Sequence, residues 1–335
     1  MKNILLTGTA GFIGSNFTPY FLEKYPEYNL INLDALTYAG DLENLKECEN
    51  HPRYKFIKGN ICNRSLIEFI FEEYDIKGVI HFAAESHVNN SVINPQLFIE
   101  TNVNGTFTLI DVARNYWMNK PFEYKENYKE CRFHHVSTDE VFGTLGDVGF
   151  FTEETPYSPS SPYSASKASS DMIVRSYQKT YGLNTVITNC SNNYGEKQHN
   201  EKFIPTIINK ALNNLPIPIH GDGKNIRDWL YVLDHCKAID LVYHKGKEDN
   251  SYNIGGGNEK TNLEVANIVC NTLDKKIPKK TSYKDLIVFV EDRVINDKRY
   301  ALDSTKIISN LCWKANDDFN SGIIKTVEWY LKRYQ

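Results

Sequence analysis

The chain has 335 residues, enough for one large domain or two modest ones around a substantial core. Hydrophobic residues make up 41% and charged residues 24%, close to globular averages, which argues against a disordered or membrane-embedded chain. A net charge of −4 gives no general attraction to nucleic acid or anionic lipid, so neither is expected as a partner.

The first element is a short apolar strand, Ile4–Thr7. The stretch ahead of Gly8 is too short for a signal-peptide core, and no apolar run reaches the ~20 residues that span a bilayer. Cys48, Cys62, Cys131, Cys190, Cys236, Cys270 and Cys312 are scattered, odd in number and never in a Cys-x-x-Cys pair. They predict reduced thiols in a cytoplasmic protein, with no disulfide framework and no metal site.

The strand runs into Gly8-Thr9-Ala10-Gly11-Phe12-Ile13-Gly14, which opens a helix over Gly14–Lys24. Glycines at this spacing allow a tight turn and close backbone approach to a pyrophosphate, held by the free N–H groups of the helix start. The next strand, Leu30–Leu33, ends at Asp34. A carboxylate there can accept hydrogen bonds from both adenosine ribose hydroxyls and repels a 2′-phosphate. Ala35 beside it offers no cation to neutralise one, so NAD is expected over NADP.

Further strands at Tyr54–Ile57, Gly78–Phe82, Phe133–Ser137 and Thr185–Asn189 alternate with helical patterns at Arg64–Tyr74, Pro95–Ala113 and Pro162–Tyr181. The alternation predicts an α/β fold with a parallel, doubly wound sheet of Rossmann type. Met118–Cys131 lacks a clear period and is expected to be a surface loop.

Pro162 starts the helix that carries Tyr163 and Lys167 on one face, at i and i+4. Bringing a tyrosine hydroxyl from its ordinary pKa to neutrality costs about 4 kcal/mol. A lysine cation ~5 Å away supplies on the order of 3 kcal/mol at an effective dielectric of about 20. The strand before this helix ends in Ser137-Thr138-Asp139-Glu140. Two adjacent carboxylates at a strand end can serve as acid and base side by side.

After Tyr194 the character changes: Gly195–Asn200 is polar, Gly221-Asp222-Gly223 is a turn, and Tyr252–Gly257 reads as a short strand. The expected organisation is an NAD-binding domain over 1–190, with 228–250 returning to it. A smaller mixed α/β substrate-binding lobe is expected mainly over 191–335.

Gly8–Gly14, the Ser137-Thr138 strand end and Tyr163/Lys167 together resemble the extended short-chain dehydrogenase/reductase family. Within it the chain is similar to the nucleotide-sugar 4,6-dehydratases, most of all to those acting on dTDP-glucose. The blocks that carry this include Leu36–Gly40, Ala83–Val88, Ser137–Gly143, Asn189–Gly195, Arg227–Val232 and Arg299–Asp303.

The resemblance implies a 4-keto-6-deoxy sugar product, internal recycling of NAD, and a homodimer formed through the helices around Pro95–Ala113 and Pro162–Tyr181. It makes Thr138, Asp139, Glu140, Tyr163 and Lys167 catalytic, with Glu140 the base and Asp139 the acid. Cofactor contacts are implied for Gly8, Gly11, Phe12, Ile13, Gly14, Asp34, Asn60, Ile61, Ala83 and Ala84, besides Tyr163 and Lys167. Substrate contacts are implied for Ser86, His87, Asn192, Asn193, Arg227, Asn253, Arg293 and Asn296.

The chain departs from the family pattern at Glu196-Lys197-Gln198-His199-Asn200, at His220, at Asn89-Asn90 and across Arg293–Asp297. A GDP-, UDP- or CDP-linked hexose or N-acetylhexosamine therefore stays open as an alternative to dTDP-glucose. A 4-epimerase or decarboxylase would keep Tyr163 and Lys167 without needing Asp139-Glu140. A non-catalytic NAD-binding protein would need neither pair.

Overall fold

The computed structural model describes residues 1–292 and 297–334. Seven parallel strands form the central sheet: β1 (Lys2–Thr7), β2 (Tyr28–Asp34), β3 (Tyr54–Lys58), β4 (Ile76–His81), β5 (Arg132–Thr138), β6 (Thr185–Cys190) and β7 (Asn250–Ile254). Their order across the sheet is β7-β6-β5-β4-β1-β2-β3, so the direction of winding reverses between β1 and β4. Clefts open at such reversals, where the chain leaves two neighbouring strands toward opposite faces.

The main helices are α1 (Phe12–Lys24), α2 (Arg64–Tyr74), α3 (Thr106–Trp117), α4 (Pro162–Tyr181) and α5 (Val232–Lys245). Along β1, Ile4 and Leu6 join the hydrophobic cluster on one face, with Phe17 and Ile239, while Leu5 joins the other, with Phe71, Leu109 and Val174. Burial on both faces is why these strands are continuous apolar runs rather than alternating ones.

Three readings needed adjustment. The strand expected at Tyr252–Gly257 is β7, which ends at Ile254 and pairs with β6 at the sheet edge. The helix expected over Pro95–Ala113 is interrupted, because Ile99–Gly105 is π-helical before α3 begins. Asn102, inside that wider turn, binds the loop after β4 through Glu85 and α4 through Ser166. Met118–Cys131 is not featureless: Met118–Lys120 and Glu123–Tyr124 pair as a small hairpin, and Glu126–Tyr128 is a 3-10 turn.

Helix α4 begins as the sequence predicts, and its caps explain why. Ser161 and Ser164 exchange side-chain-to-backbone hydrogen bonds, Pro162 occupies the first turn, and Gly182 closes the helix at φ +68.

Beyond β6, Asn192–Tyr194, Ile226–Tyr231 and Glu259–Thr261 form a three-stranded sheet, packed with the helices Phe203–Leu212, Asn262–Lys276 and Phe319–Tyr334. One apolar cluster runs from α1 through Tyr194, Trp229 and Val232 to Phe319, so both parts of the chain share a core.

Helix α5 is tied to α1 by Asp240, which is 1% exposed. Its carboxylate accepts from Lys24 Nζ at 2.5 Å and Tyr20 Oη at 2.7 Å, with His244 Nδ1 at 2.8 Å. Burial alone would raise its pKa, but these partners outweigh that and bring it down to about 2. A carboxylate whose folded pKa is depressed stabilises above its unfolded value and loses that contribution as pH falls through the folded one. Asp240→Asn is therefore expected to cost about 2 kcal/mol in urea denaturation at pH 7. The native protein should lose the same increment between about pH 4 and about pH 2.

Candidate active site

The glycine turn after β1 is built for close approach. Gly8 has φ +72, and a Cβ there would lie 2.5 Å from the backbone of Ala83. A Cβ at Gly14 would lie 2.6 Å from Thr9 Cα. Gly11 caps α1 with no side-chain hydrogen bond, leaving the first-turn N–H groups for an anion.

Asp34 stands opposite, 8% exposed. Its Oδ2 accepts from Ala10 N and its Oδ1 from Leu36 N, both at 2.8 Å. Burial raises its pKa, countered by those two backbone N–H groups. Each oxygen keeps a lone pair for a ribose hydroxyl while the carboxylate also braces the glycine turn.

A cavity of about 320 Å³ is lined by Gly8, Gly11, Phe12, Ile13, Gly14, Asp34, Asn60, Ile61, Ala83, Ala84, Tyr163 and Lys167. It thus gathers every residue expected to touch the cofactor. The anion-ready helix start, the glycine turn and the carboxylate fit a dinucleotide with an unphosphorylated 2′ position.

Thr138, Asp139 and Glu140 lie on the same wall. Thr138 Oγ1 caps the following 3-10 turn by accepting from Glu140 N at 3.3 Å, and donates to Asp139 Oδ1 at 3.2 Å. The threonine makes that cap, so neither carboxylate is occupied by it.

Asp139 is 3% exposed, and its Oδ2 is buried without a hydrogen-bond partner. Burial first, then the neighbouring Glu140, raise its pKa well above the usual carboxylate value, which favours the protonated acid. Burial also raises Glu140, while Arg227 and Lys202 limit the rise to about 7. Raised values bring both carboxyl groups closer to acid–base work at neutral pH than solvated carboxylates are.

The pairing of Tyr163 and Lys167 differs from the sequence expectation in its electrostatics. Burial, followed by the nearby Glu140, pushes the Tyr163 hydroxyl well above its ordinary pKa. Lys167 directs Nζ at Val136 O (2.9 Å) and lies 3.4 Å from His135 Nε2. In this arrangement the lysine charge is spent partly on the sheet, and desolvation outweighs its pull on the tyrosine.

Behind Lys167 lies a group that the sequence reading missed. Asp171 is fully buried and accepts from Ser137 Oγ at 2.9 Å and Tyr157 Oη at 2.8 Å, with His135 Nε2 at 3.2 Å. Burial opposes its ionisation, but His135, Lys167 and Ser137 together hold its pKa below the usual carboxylate value. The signal was available: Asp171 continues the i, i+4 series of Tyr163 and Lys167 by one more turn. Lys202 was also missed; it lines the cleft and donates to Ser86 O at 3.1 Å.

A second cavity of about 190 Å³ adjoins the first, sharing Ser86, Glu140, Asn192, Asn193, Gln198 and Lys202 with it and adding His87 and Arg227. Arg227 stacks its guanidinium 4.4 Å from the Tyr300 ring centre. The expectation for Asn253 is corrected: it is fully buried in β7, donates to Phe151 O, and lines neither cavity. Strand alternation turns it away from the cleft. Arg293 and Asn296 lie outside the described residues.

A model of the GDP-mannose 4,6 dehydratase family matches residues 5–326. The chain is 50% identical to the dTDP-glucose 4,6-dehydratase of Salmonella typhimurium, covering 99% of this chain and 93% of that one. It is 49% identical to the enzyme of that name from Neisseria gonorrhoeae, covering 98% and 96%. Among solved structures, the dTDP-glucose 4,6-dehydratase of Bacillus anthracis in complex with NAD superposes with a TM-score of 0.87 at 46% identity, over 99% of this chain and 97% of that one. A UDP-glucose 4-epimerase from Thermotoga maritima superposes at 0.86 with 27% identity, covering 99% and 100%.

Replacing Gly8 by alanine would force a Cβ into the Ala83 backbone at a positive φ. Gly8→Ala is expected to weaken NAD binding by more than about tenfold in titration calorimetry, with far-ultraviolet circular dichroism unchanged.

Proposed function

We infer that the chain, which belongs to the GDP-mannose 4,6 dehydratase family, is an NAD-dependent nucleotide-sugar 4,6-dehydratase that turns dTDP-glucose into its 4-keto-6-deoxy sugar. The observation that carries this reading is a Tyr–Lys pair in one cleft with two adjacent buried carboxyl groups of raised pKa, Asp139 and Glu140. An epimerase has no water to expel and no use for the second pair. Relatives named dTDP-glucose 4,6-dehydratase at about half identity support the same substrate.

The chemistry a bound NAD supplies is reversible hydride acceptance, and Asp34 with the glycine turn would hold it. Tyr163 takes the proton from the sugar 4-oxygen, and the Thr138 hydroxyl donates a hydrogen bond there. Lys167 lowers the cost of the tyrosinate, and Asp171 with His135 keeps the lysine in place. The resulting 4-keto group acidifies C5–H. Glu140 removes that proton, and Asp139 delivers its own to the departing 6-oxygen, so the C6–O bond breaks with loss of water. Glu140 then gives its proton back to C5, in balance with the hydride that a bound NAD would have taken from C4 and would return to C6.

Ser86, His87, Asn192, Asn193 and Arg227 contact the nucleotide sugar, the guanidinium serving the diphosphate. Residues 191–335 mainly supply that site, with 228–250 belonging to the NAD-binding part over 1–190. Val92, Ile93, Ile99, Phe107 and Met172 leave apolar surface exposed on the helices of 88–117 and on α4, which supports a homodimer through that face. All seven cysteines are free, consistent with work in the reducing cytoplasm.

Purified protein offered dTDP-glucose and UDP-, GDP- and CDP-hexoses, with their N-acetyl analogues, should remove one water from dTDP-glucose with the highest kcat/KM, read by mass spectrometry. Preference for another base would sink the dTDP assignment, and a product of unchanged mass from every sugar would indicate an epimerase. A base with a pKa near 7 works only when deprotonated, so kcat/KM should rise with pH up to about 7 and then level off. Glu140→Gln should cut dehydration by about 10²–10⁴ and abolish deuterium exchange at C5.

A further inference from the structure

The segment after Asn192–Tyr194 lines part of the cofactor cleft and is held from both sides. Lys197 adopts φ +67, a left-handed conformation that costs a non-glycine residue energy and persists only where the surroundings impose it. Its side chain is 13% exposed and spans to the other half of the molecule. There Nζ donates to Ser15 O at 3.1 Å, in the first turn of α1, and to Glu47 Oε1 at 2.5 Å in the 3-10 helix Leu42–Cys48.

The residues on either side reinforce this crossing. Asn16 of α1 donates to Glu196 O at 2.9 Å, and Tyr231 donates to Glu196 Oε1 at 2.7 Å. The Tyr330 hydroxyl donates to Gln198 O, and Tyr334 to Asn200 Oδ1 at 2.6 Å. The His199 ring meets Tyr38 edge-on, centroids 5.7 Å apart, on the loop that follows Asp34. Between these anchors Gln198 and His199 form part of the cavity wall. Glu196, Lys197, His199 and Asn200 belong to the stretch where the chain departs from its family's pattern, and each has one of these contacts.

We propose that residues 196–200 are a strap that retains NAD in its cleft, and that Lys197 is the positioning residue that fastens it to α1 and Glu47. The proposal rests on the assignment of this cleft to NAD. A dinucleotide lying against the glycine turn and Asp34 would have the strap across its way out, so release requires the Lys197 contacts to open first. Retention suits a reaction that returns its hydride within one turnover, because a released reduced cofactor would strand the keto intermediate.

The test is the release rate of NAD, measured on the full chain loaded with radiolabelled NAD and chased with excess unlabelled NAD. Lys197→Met should release NAD about tenfold faster, the equivalent of one charge-assisted hydrogen bond. Glu47→Gln should release it faster by a smaller factor, and Lys197→Arg should stay near the native rate. Raising salt should speed release in the native protein and leave Lys197→Met unaffected. Glu47 is largely exposed, so its variant decides the matter if Lys197→Met fails to fold. Release within twofold of native in both variants would overturn the strap while leaving the NAD site standing. A native chain that takes up no NAD would overturn the functional reading itself.

Discussion

The carboxylate of Asp171 locks α4 onto the sheet. It accepts from Ser137 on β5 and from Tyr157 ahead of the helix, with Asn189 of β6 at 3.4 Å and His135 of β5 beside it. An ionised group in a fully buried position is tolerated only when surrounded by donors, and here they come from three separate segments. Because Lys167 and Tyr163 lie one and two turns earlier on the same face, fixing Asp171 fixes all three. The strand end bearing Thr138, Asp139 and Glu140 is then held beside them, since β5 supplies both sides of the arrangement.

Environment, not residue type, separates the two carboxyl groups that follow. Asp139 is buried with one oxygen unpartnered among the described residues, and burial favours its protonated form. Glu140 borders both cavities and feels Arg227 and Lys202, so it stays near neutrality. Two side chains of the same chemistry, one residue apart, thereby become a donor and an acceptor of protons. The cations that tune Glu140 come from the part of the chain beyond β6, so the acid–base division depends on both halves meeting.

The halves meet through a continuous core and several polar ties. Asp240 joins α5 to α1, Arg333 binds Asp41 and Asn44, and Lys197 reaches Ser15 and Glu47. Several of these contacts lie near the glycine turn, whose three glycines have no side chains with which to hold anything. A site that must let a backbone approach a ligand closely has to be braced from outside, and Asp34 performs part of that bracing from within.

Local signals were enough to locate six of the seven strands, because short runs rich in apolar residues are bounded by helical periodicity. The glycine turn, Asp34, the capped start of α4 and the Tyr–Lys spacing were equally legible, since each depends on residues near one another in the chain. What tertiary structure decided were the consequences of distant contacts. Asn253 turned out to face the core, and the Tyr163 hydroxyl is raised where spacing to Lys167 had suggested the opposite. Asp171 emerged as the anchor, and burial raised the pKa of both Asp139 and Glu140. Burial and hydrogen-bond partners set each of these, and both are properties of the folded chain that no window of sequence contains.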